Sequence, residues 1–177
     1  MDIDNIIDNI SEMEELVFAD CWSAESIRDT MSQDYNFLLA AYVLGNDIKI
    51  RVIEGGPDRD RDEELVMTFG REFYVNEEDY KFAGYLIANI IIDESELLRI
   101  AVSPDMRKMG IAKTMMEEYH RYIEPSCIKS ILEVRQGNVA ARTLYEKMGY
   151  NNISIRKGYY NNPCEDAIIY EYQNIQK

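Results

Sequence analysis

A mixed α/β domain is the fold class that the sequence predicts, and three observations support it. Segments with apolar residues at helical spacing alternate with short apolar runs that end at turn-forming residues. The chain has 177 residues, which suits one domain because domains hold roughly 150 residues. Hydrophobic residues make up 46% of it, enough for a buried core. We therefore expect residues 1–177 to form a single domain without internal repeats.

The first half of the chain predicts two helices followed by strands. Residues 1–20 hold seven acidic residues and no Lys or Arg, and their apolar residues recur at helical spacing, which indicates an acidic amphipathic helix. Ser23 is suited to cap a second, shorter helix. Residues 36–44 indicate a strand. Residues 46–80 contain two strand-like stretches separated by a glycine–proline break, so we expect a β-hairpin-like arm or a long insertion there.

The second half alternates strands with helices. Residues 82–92 and 97–102 predict two strands joined by an acidic turn. A helix is expected from about residue 108 to residue 123, because apolar side chains recur four residues apart along it. Asn138 is suited to cap a helix that ends near Gly149. Three further strands are predicted at residues 131–135, 153–156 and 167–172.

Acidic residues outnumber basic ones by 33 to 19, giving a formal net charge of −14. Nucleic-acid-binding proteins neutralise phosphates with Lys and Arg, so this composition argues against a direct nucleic-acid partner. It suits a cationic partner, such as a basic peptide or a polyamine. It equally suits a role in solubility alone, and the composition does not decide between the two.

The cysteines and the single histidine give no sign of a metal site. Cys21, Cys127 and Cys164 are not at zinc-ligand spacing, and His120 has no cysteine nearby in the sequence. The first residues lack the basic stretch and apolar run of a signal peptide, and no apolar run reaches the ~18 residues that a membrane span needs. We therefore expect a cytoplasmic protein without a metal ion or a membrane partner.

A loop between a predicted strand and a predicted helix is rich in positive charge. It holds Arg107, Lys108 and Lys113 beside a single acidic residue, and Gly110 lets the backbone approach a bound group closely. The first amides of a helix are unpaired and lie at its positive end, so the segment is suited to hold a phosphate or pyrophosphate. The alternative is an ordinary strand-to-helix turn with surface cations. A Walker loop is excluded, because no Gly-Lys-Ser/Thr follows.

The segment Arg107-Lys108-Met109-Gly110-Ile111-Ala112, after the strand Ile100-Ala101-Val102, resembles the R/Q-x-x-G-x-G/A signature of the GNAT acetyltransferases. A longer motif runs through Leu132-Glu133-Val134-Arg135, Asn138, Leu144-Tyr145, Gly149-Tyr150, Arg156-Lys157, Tyr159-Tyr160 and Glu165-Asp166-Ala167. It is similar to the RimI-type ribosomal-protein N-terminal acetyltransferases of that superfamily, and Trp22-Ser23 resembles their front loop. The sequence departs from that pattern at Ala112, at Gly137 and in the insertion at 46–80.

The resemblance implies a GNAT fold, with a mixed, mostly antiparallel central sheet flanked by helices, and acetyl-CoA as co-substrate. It implies that Glu133 is the general base, acting through water, and that Tyr145 is the general acid. Acetyl-CoA would contact Ile100, Ala101, Val102, Arg107, Lys108, Met109, Gly110, Ile111, Ala112, Lys113 and Asn138. The substrate would contact Trp22, Arg135, Tyr159 and Tyr160.

Each of these residues also has a purely structural interpretation. Glu133 could be a surface carboxylate paired with Arg135 or with a neighbouring strand, and Tyr145 could be a core aromatic. Asn138 could be a plain helix cap, a role compatible with cofactor contact. Tyr159 and its neighbour could be aromatics of an edge strand.

The expected activity is acetyl transfer to the N-terminal amine of a basic protein, the N-terminal alanine of a small-subunit ribosomal protein. The alternatives are acetylation of a polyamine or other small amine, and a module that binds acyl-CoA without catalysis. The sequence leaves the oligomeric state open between a monomer and a weak dimer.

Overall fold

The computed structural model describes residues 3–56, 65–69 and 79–174, and within these ranges one eight-stranded sheet is accompanied by four α-helices. The helices are α1 (Ile3–Val17), α2 (Ala24–Met31), α3 (Ile111–Ile123) and α4 (Val139–Lys147). The strands are β1 (Asn36–Leu44), β2 (Asp47–Glu54), β3 (Leu65–Phe69), β4 (Lys81–Ile91), β5 (Glu94–Val102), β6 (Lys129–Arg135), β7 (Asn151–Asn161) and β8 (Cys164–Gln173).

The strand order in the sheet is β3-β2-β1-β4-β5-β6-β8-β7, and only β5 and β6 run parallel. A parallel neighbour needs a crossover, and α3 supplies it between β5 and β6. The predicted mixed α/β class, with a mostly antiparallel sheet flanked by helices, is confirmed.

Helices cover the sheet on two faces. On one face α1 and α2 bury Ile6, Ile10 and Ile27 against β1 and β4. On the other face Met115 and Tyr119 of α3 are fully buried in a second apolar cluster. The cap of α2 is as predicted, because the Ser23 hydroxyl accepts a hydrogen bond from the Ser26 amide.

The hairpin expected near 46–80 is present and continues the central sheet. β2 pairs with β3 on one side and with β1 on the other. It follows β1 through a tight turn in which Gly45 has a φ of 60°. The rest of the expected arm, residues 57–64 and 70–78, lies outside the described ranges.

Strands β7 and β8 are longer than predicted, and the starts of β5 and α3 differ from the prediction at residues with positive φ angles. Strand β5 begins at Glu94 rather than at residue 97, because the chain reverses at Ile92, whose φ is 62°. Helix α3 begins at Ile111 rather than near residue 108, since Lys108 and Gly110 have φ angles of 68° and 87° and cannot belong to a right-handed helix.

Candidate active site

An open cleft forms where the two parallel strands separate. β5 and β6 are paired only from Glu94–Lys129 to Leu97–Leu132. Beyond that point β5 pairs with β4 alone and β6 with β8 alone, so each strand keeps one unpaired edge facing the other. Leu98 has no partner in the β4–β5 register, a bulge that lies at the point of separation. The sequence predicted both strands but not their divergence.

One edge of this cleft is formed by the end of β5, which holds three residues predicted to contact acetyl-CoA, Ile100, Ala101 and Val102. Of these three residues, Ala101 is buried and pairs with Tyr85 of β4, while Ile100 and Val102 are half-buried. Their edge toward β6 is unpaired, so its backbone amides and carbonyls can bind an extended ligand.

The predicted anion-binding loop lies at the start of α3. Gly110 is the N-cap, and no side chain caps the helix. A Cβ added at Gly110 would meet nothing within 4 Å, so the space beside the first amides is open. Arg107, Lys108 and Met109 are exposed, whereas Ile111 is buried and anchors the helix. This combination fits an anionic diphosphate.

Two cations of the loop and its alanine have defined surroundings. Arg107 donates from Nε to the carbonyl of Val102 at 3.4 Å, which ties the loop to the end of β5. Lys113 is exposed and pairs with Glu117 at 3.1 Å, one helical turn further on. Ala112 is half-buried in the first turn of the helix.

Glu133 lies on the β6 edge of the cleft. Alternation along the strand buries Leu132 and Val134 and leaves the Glu133 side chain 21% exposed on the opposite face. Its carboxylate is 2.7 Å from a guanidinium nitrogen of Arg156. It also accepts a hydrogen bond from Tyr159, which raises the pKa of that phenol.

Tyr145 is almost fully buried on α4, at 4% exposure. Its ring centroid is 5.9 Å from that of Tyr150 and 6.3 Å from that of Tyr170. Burial raises its pKa, and the phenol of Tyr160 raises it further. The hydroxyl is therefore protonated at neutral pH and can act as a donor. Asn138 begins this helix by accepting a hydrogen bond from the Ala141 amide at 3.2 Å.

A wide bulge aims two tyrosines at the cleft. Between the pairs that Arg156 and Tyr160 make with β8, three residues of β7, 157–159, lie opposite the single residue Asp166 of β8. Asp166 fills the bulge by accepting hydrogen bonds from Lys157 Nζ at 2.7 Å and the Gly158 amide at 2.8 Å. These two bonds lower the pKa of Asp166. The bulge thus fixes the direction of the Tyr159-Tyr160 segment.

Arg135 binds the turn of the β7–β8 hairpin rather than Glu133. It donates to the carbonyls of Asn162 and Pro163 at 3.1 and 3.2 Å. Its guanidinium carbon is 4.0 Å from the ring centroid of Tyr160. The arginine paired with Glu133 is thus Arg156 and not Arg135, which the structural alternative had named.

Trp22 belongs to a second group that sequence reasoning missed. Its amide donates to the buried carboxylate of Glu14 at 2.7 Å, and its ring lies 5.0 Å from the guanidinium carbon of Arg99. Arg99 also donates to Glu14 at 3.1 Å, and Tyr85 donates to the same carboxylate. An arginine inside the apolar strand Leu97–Val102 was the available signal, because a cation in such a run needs a buried partner.

Residues 25–150 match the family described as Acetyltransferase (GNAT) family. The chain belongs to the GNAT acetyltransferase family. Among the described helices of this GNAT protein, none is long and apolar enough to cross a membrane.

Curated relatives carry a specific name. The Escherichia coli K12 "[Ribosomal protein bS18]-alanine N-acetyltransferase" is 38% identical over 92 residues, which cover 50% of this chain and 62% of that protein. The Salmonella typhimurium protein of the same name is 37% identical over 94 residues, or 51% and 64% of the two chains. The GNAT chain thus matches less than two thirds of the length of these relatives.

Solved structures share the fold. The ribosomal-protein-S18-alanine N-acetyltransferase from Escherichia coli superposes with a TM-score of 0.67 at 23% identity, covering 96% of this chain and 88% of that one. Arabidopsis thaliana NAA60 in complex with acetyl-CoA superposes with a TM-score of 0.65 at 18% identity, covering 96% and 94%. At these identities the likeness concerns the GNAT fold alone.

Proposed function

We propose that this GNAT protein transfers the acetyl group of acetyl-CoA to the N-terminal amine of a protein, with the N-terminal alanine of ribosomal protein bS18 as its substrate. One observation carries the proposal. The cleft between β5 and β6 has an anion-binding helix start near one strand and a carboxylate, Glu133, on the other. The names of the curated relatives support the choice of substrate.

Acetyl-CoA would lie along the unpaired edge of β5. The first amides of α3, together with Arg107 and Lys108, would bind the pyrophosphate through charge-assisted hydrogen bonds. The backbone of residues 100–102 would pair with the amides of the pantetheine arm. Asn138, exposed at the start of α4, would contact the cofactor from the other side of the cleft.

The proposed transfer is direct. Glu133 accepts, through water, a proton from the substrate ammonium, and the freed amine attacks the thioester carbonyl. The new C–N bond forms as the C–S bond breaks, and the electron pair leaves with sulfur. Tyr145 donates its hydroxyl proton to that sulfur and recovers one from solvent, while the nitrogen releases its second proton to solvent. The products are the acetylated amine and CoA thiol.

Before the amine binds, Arg156 is the ion-pair partner of Glu133, the proposed base. Its guanidinium lies 2.7 Å from the Glu133 carboxylate and stacks over Tyr159 at 4.8 Å. Because Arg156 is half-exposed, an incoming ammonium can compete with it for the carboxylate. The Glu133–Arg156 pair therefore holds the carboxylate at the cleft until the amine arrives.

The decisive experiment measures CoA release from acetyl-CoA with a peptide that carries the N-terminus of bS18, beginning at alanine. The same peptide with a blocked N-terminus is the control, since it retains every side-chain amine. Spermidine is the comparison, because the −14 charge would also attract a polyamine. Turnover confined to the free peptide supports the proposal. Preference for spermidine, or equal turnover of the blocked peptide, would refute it. Binding of acetyl-CoA without turnover of any amine would also refute it and would indicate a non-catalytic module.

A further inference from the structure

The segment that joins α1 to α2 crosses the cleft. This segment, Phe18–Ser23, is here called the strap. Within it the carboxylate of Asp20 lies between two arginines, with Oδ2 at 3.9 Å from Arg99 and Oδ1 at 3.8 Å from Arg135. Arg99 is on β5 and Arg135 is on β6, each beyond the last residue at which the two strands are paired. Asp20 therefore spans the gap that opens between them.

The strap is attached to β5 mainly by contacts that do not need the Asp20 side chain. Arg99 donates to the backbone carbonyl of Asp20 and to Glu14, and its side chain is only 13% exposed. The guanidinium stacks over Phe18 at 4.3 Å and over Trp22 at 5.0 Å. Loss of the Asp20 carboxylate would leave these contacts in place, so the strap would stay folded on β5.

The attachment to the other side of the cleft does depend on that carboxylate. Arg135 joins Asp20 to the β7–β8 hairpin, because the same guanidinium binds the carbonyls of Asn162 and Pro163 and stacks on Tyr160. One carboxylate thus links the strap, which carries Trp22, with the hairpin, which carries the two tyrosines of the bulge.

We infer that Asp20 is a positioning residue that couples the two walls of the amine-binding groove, the strap and the β7–β8 hairpin. The inference rests on the proposed function. With the walls coupled, the substrate N-terminus enters the groove in one orientation relative to Glu133. The carboxylate touches neither the acetyl-CoA loop nor the reacting atoms, so the effect falls on the amine substrate alone. The side chain of Asp20 is 48% exposed, which makes the link modest in strength and sensitive to salt.

The test compares Asp20→Asn and Asp20→Glu with Asp8→Asn as a matched control. Asp8 is also an exposed carboxylate paired with an arginine, Arg28 at 3.5 Å, but that pair joins α1 to α2 outside the cleft. For Asp20→Asn we expect the KM of the amine substrate to rise about fivefold, which is the loss of binding expected when a modest ion-pair network is removed. The KM of acetyl-CoA should not change. Asp20→Glu keeps the charge and should restore most of the loss.

A second readout is independent of catalysis. Trp22 is the only tryptophan of the chain, so its fluorescence quenching by acrylamide reports the strap. In Asp20→Asn the strap stays attached to β5 but is no longer tied to the hairpin, so the half-buried Trp22 should become more accessible and quenching should increase. Asp8→Asn should leave quenching unchanged. Unchanged quenching in Asp20→Asn would overturn the inference, as would equal increases in the KM of both substrates. If the wild-type protein acetylates no amine, the proposed function fails, and the quenching comparison alone decides whether Asp20 couples the walls.

Discussion

Tyr160 connects the two residues to which the acetyl-transfer chemistry is assigned. Burial and then the phenol of Tyr160 raise the pKa of Tyr145. Burial and then the carboxylate of Glu133 raise the pKa of Tyr160 to about 12. Tyr160 therefore links Glu133 and Tyr145 electrostatically. Both phenols are protonated at neutral pH, which an acid for the leaving thiolate requires.

Tyr145→Phe tests whether the hydroxyl of Tyr145 is the general acid. The substitution keeps the ring and its packing against Tyr150 and Tyr170 and removes only the hydroxyl. If the hydroxyl protonates the leaving sulfur, kcat should fall on the order of 10²-fold with little change in KM. Steady-state kinetics on the wild type and the variant measure this.

Tyr150→Phe is the matched control. Tyr150 is a buried tyrosine of the same aromatic cluster, and its hydroxyl hydrogen-bonds Ser130 at 2.8 Å. Its loss should reduce the free energy of unfolding by about 1 kcal/mol while leaving kcat near normal. A Tyr145→Phe enzyme with kcat within about threefold of wild type and an unchanged Tm would make Tyr145 a core aromatic and direct attention to Tyr159 or Tyr160.

At the scale of elements, the sequence pattern located most helices and strands but not the features that open the cleft. Periodicity reports which side of an element is apolar, so α1, α2 and β1 were predictable. It cannot report where two strands stop pairing, because that depends on the long-range register of β5 and β6. The wide bulge at Gly158 was missed for the same reason, since it depends on Asp166 of the neighbouring strand.

Helix α1 shows how a tertiary contact overrides periodicity. Leu16 belongs to the predicted apolar stripe, yet it is 73% exposed, whereas Glu14 is fully buried. Glu14 can be buried because Trp22, Tyr85 and Arg99 all donate hydrogen bonds to its carboxylate. Two of these partners lie on strands far along the chain, so no local pattern could have revealed them.

The start of α3 can be tested as an element by Gly110→Asp. The substitution adds bulk and negative charge beside the helix amides, and isothermal calorimetry should find acetyl-CoA binding abolished, because each charge-assisted contact contributes about 1.5–3 kcal/mol. Gly45→Asp is the control, since Gly45 also has a positive φ and nothing within 4 Å of an added Cβ, but lies in the β1–β2 turn. Equal acetyl-CoA affinity in both variants would contradict the prediction that the pyrophosphate binds at this loop.

At the scale of the whole molecule, several basic side chains within the described ranges are engaged in specific ion pairs. Arg28 binds Asp4 and Asp8, and Arg121 binds Glu118 at 2.7 Å. The pairs cancel charge locally and leave the net −14 on the molecule as a long-range field. Such a field attracts a basic peptide from a distance, whatever contacts follow.

Salt dependence separates this attraction from a purely solubilising role of the charge. Between 0.1 and 1 M salt the Debye length falls from ~10 Å to ~3 Å, so kcat/KM for a basic peptide should fall over that range. The control is a peptide with the same N-terminal alanine but neutral residues in place of the basic ones, whose kcat/KM should change little. The ratio of the two values cancels the effect of salt on acetyl-CoA, which is itself anionic. A ratio that stays constant as salt rises would mean that the acidic surface contributes nothing to substrate capture, and that recognition depends on the groove contacts alone.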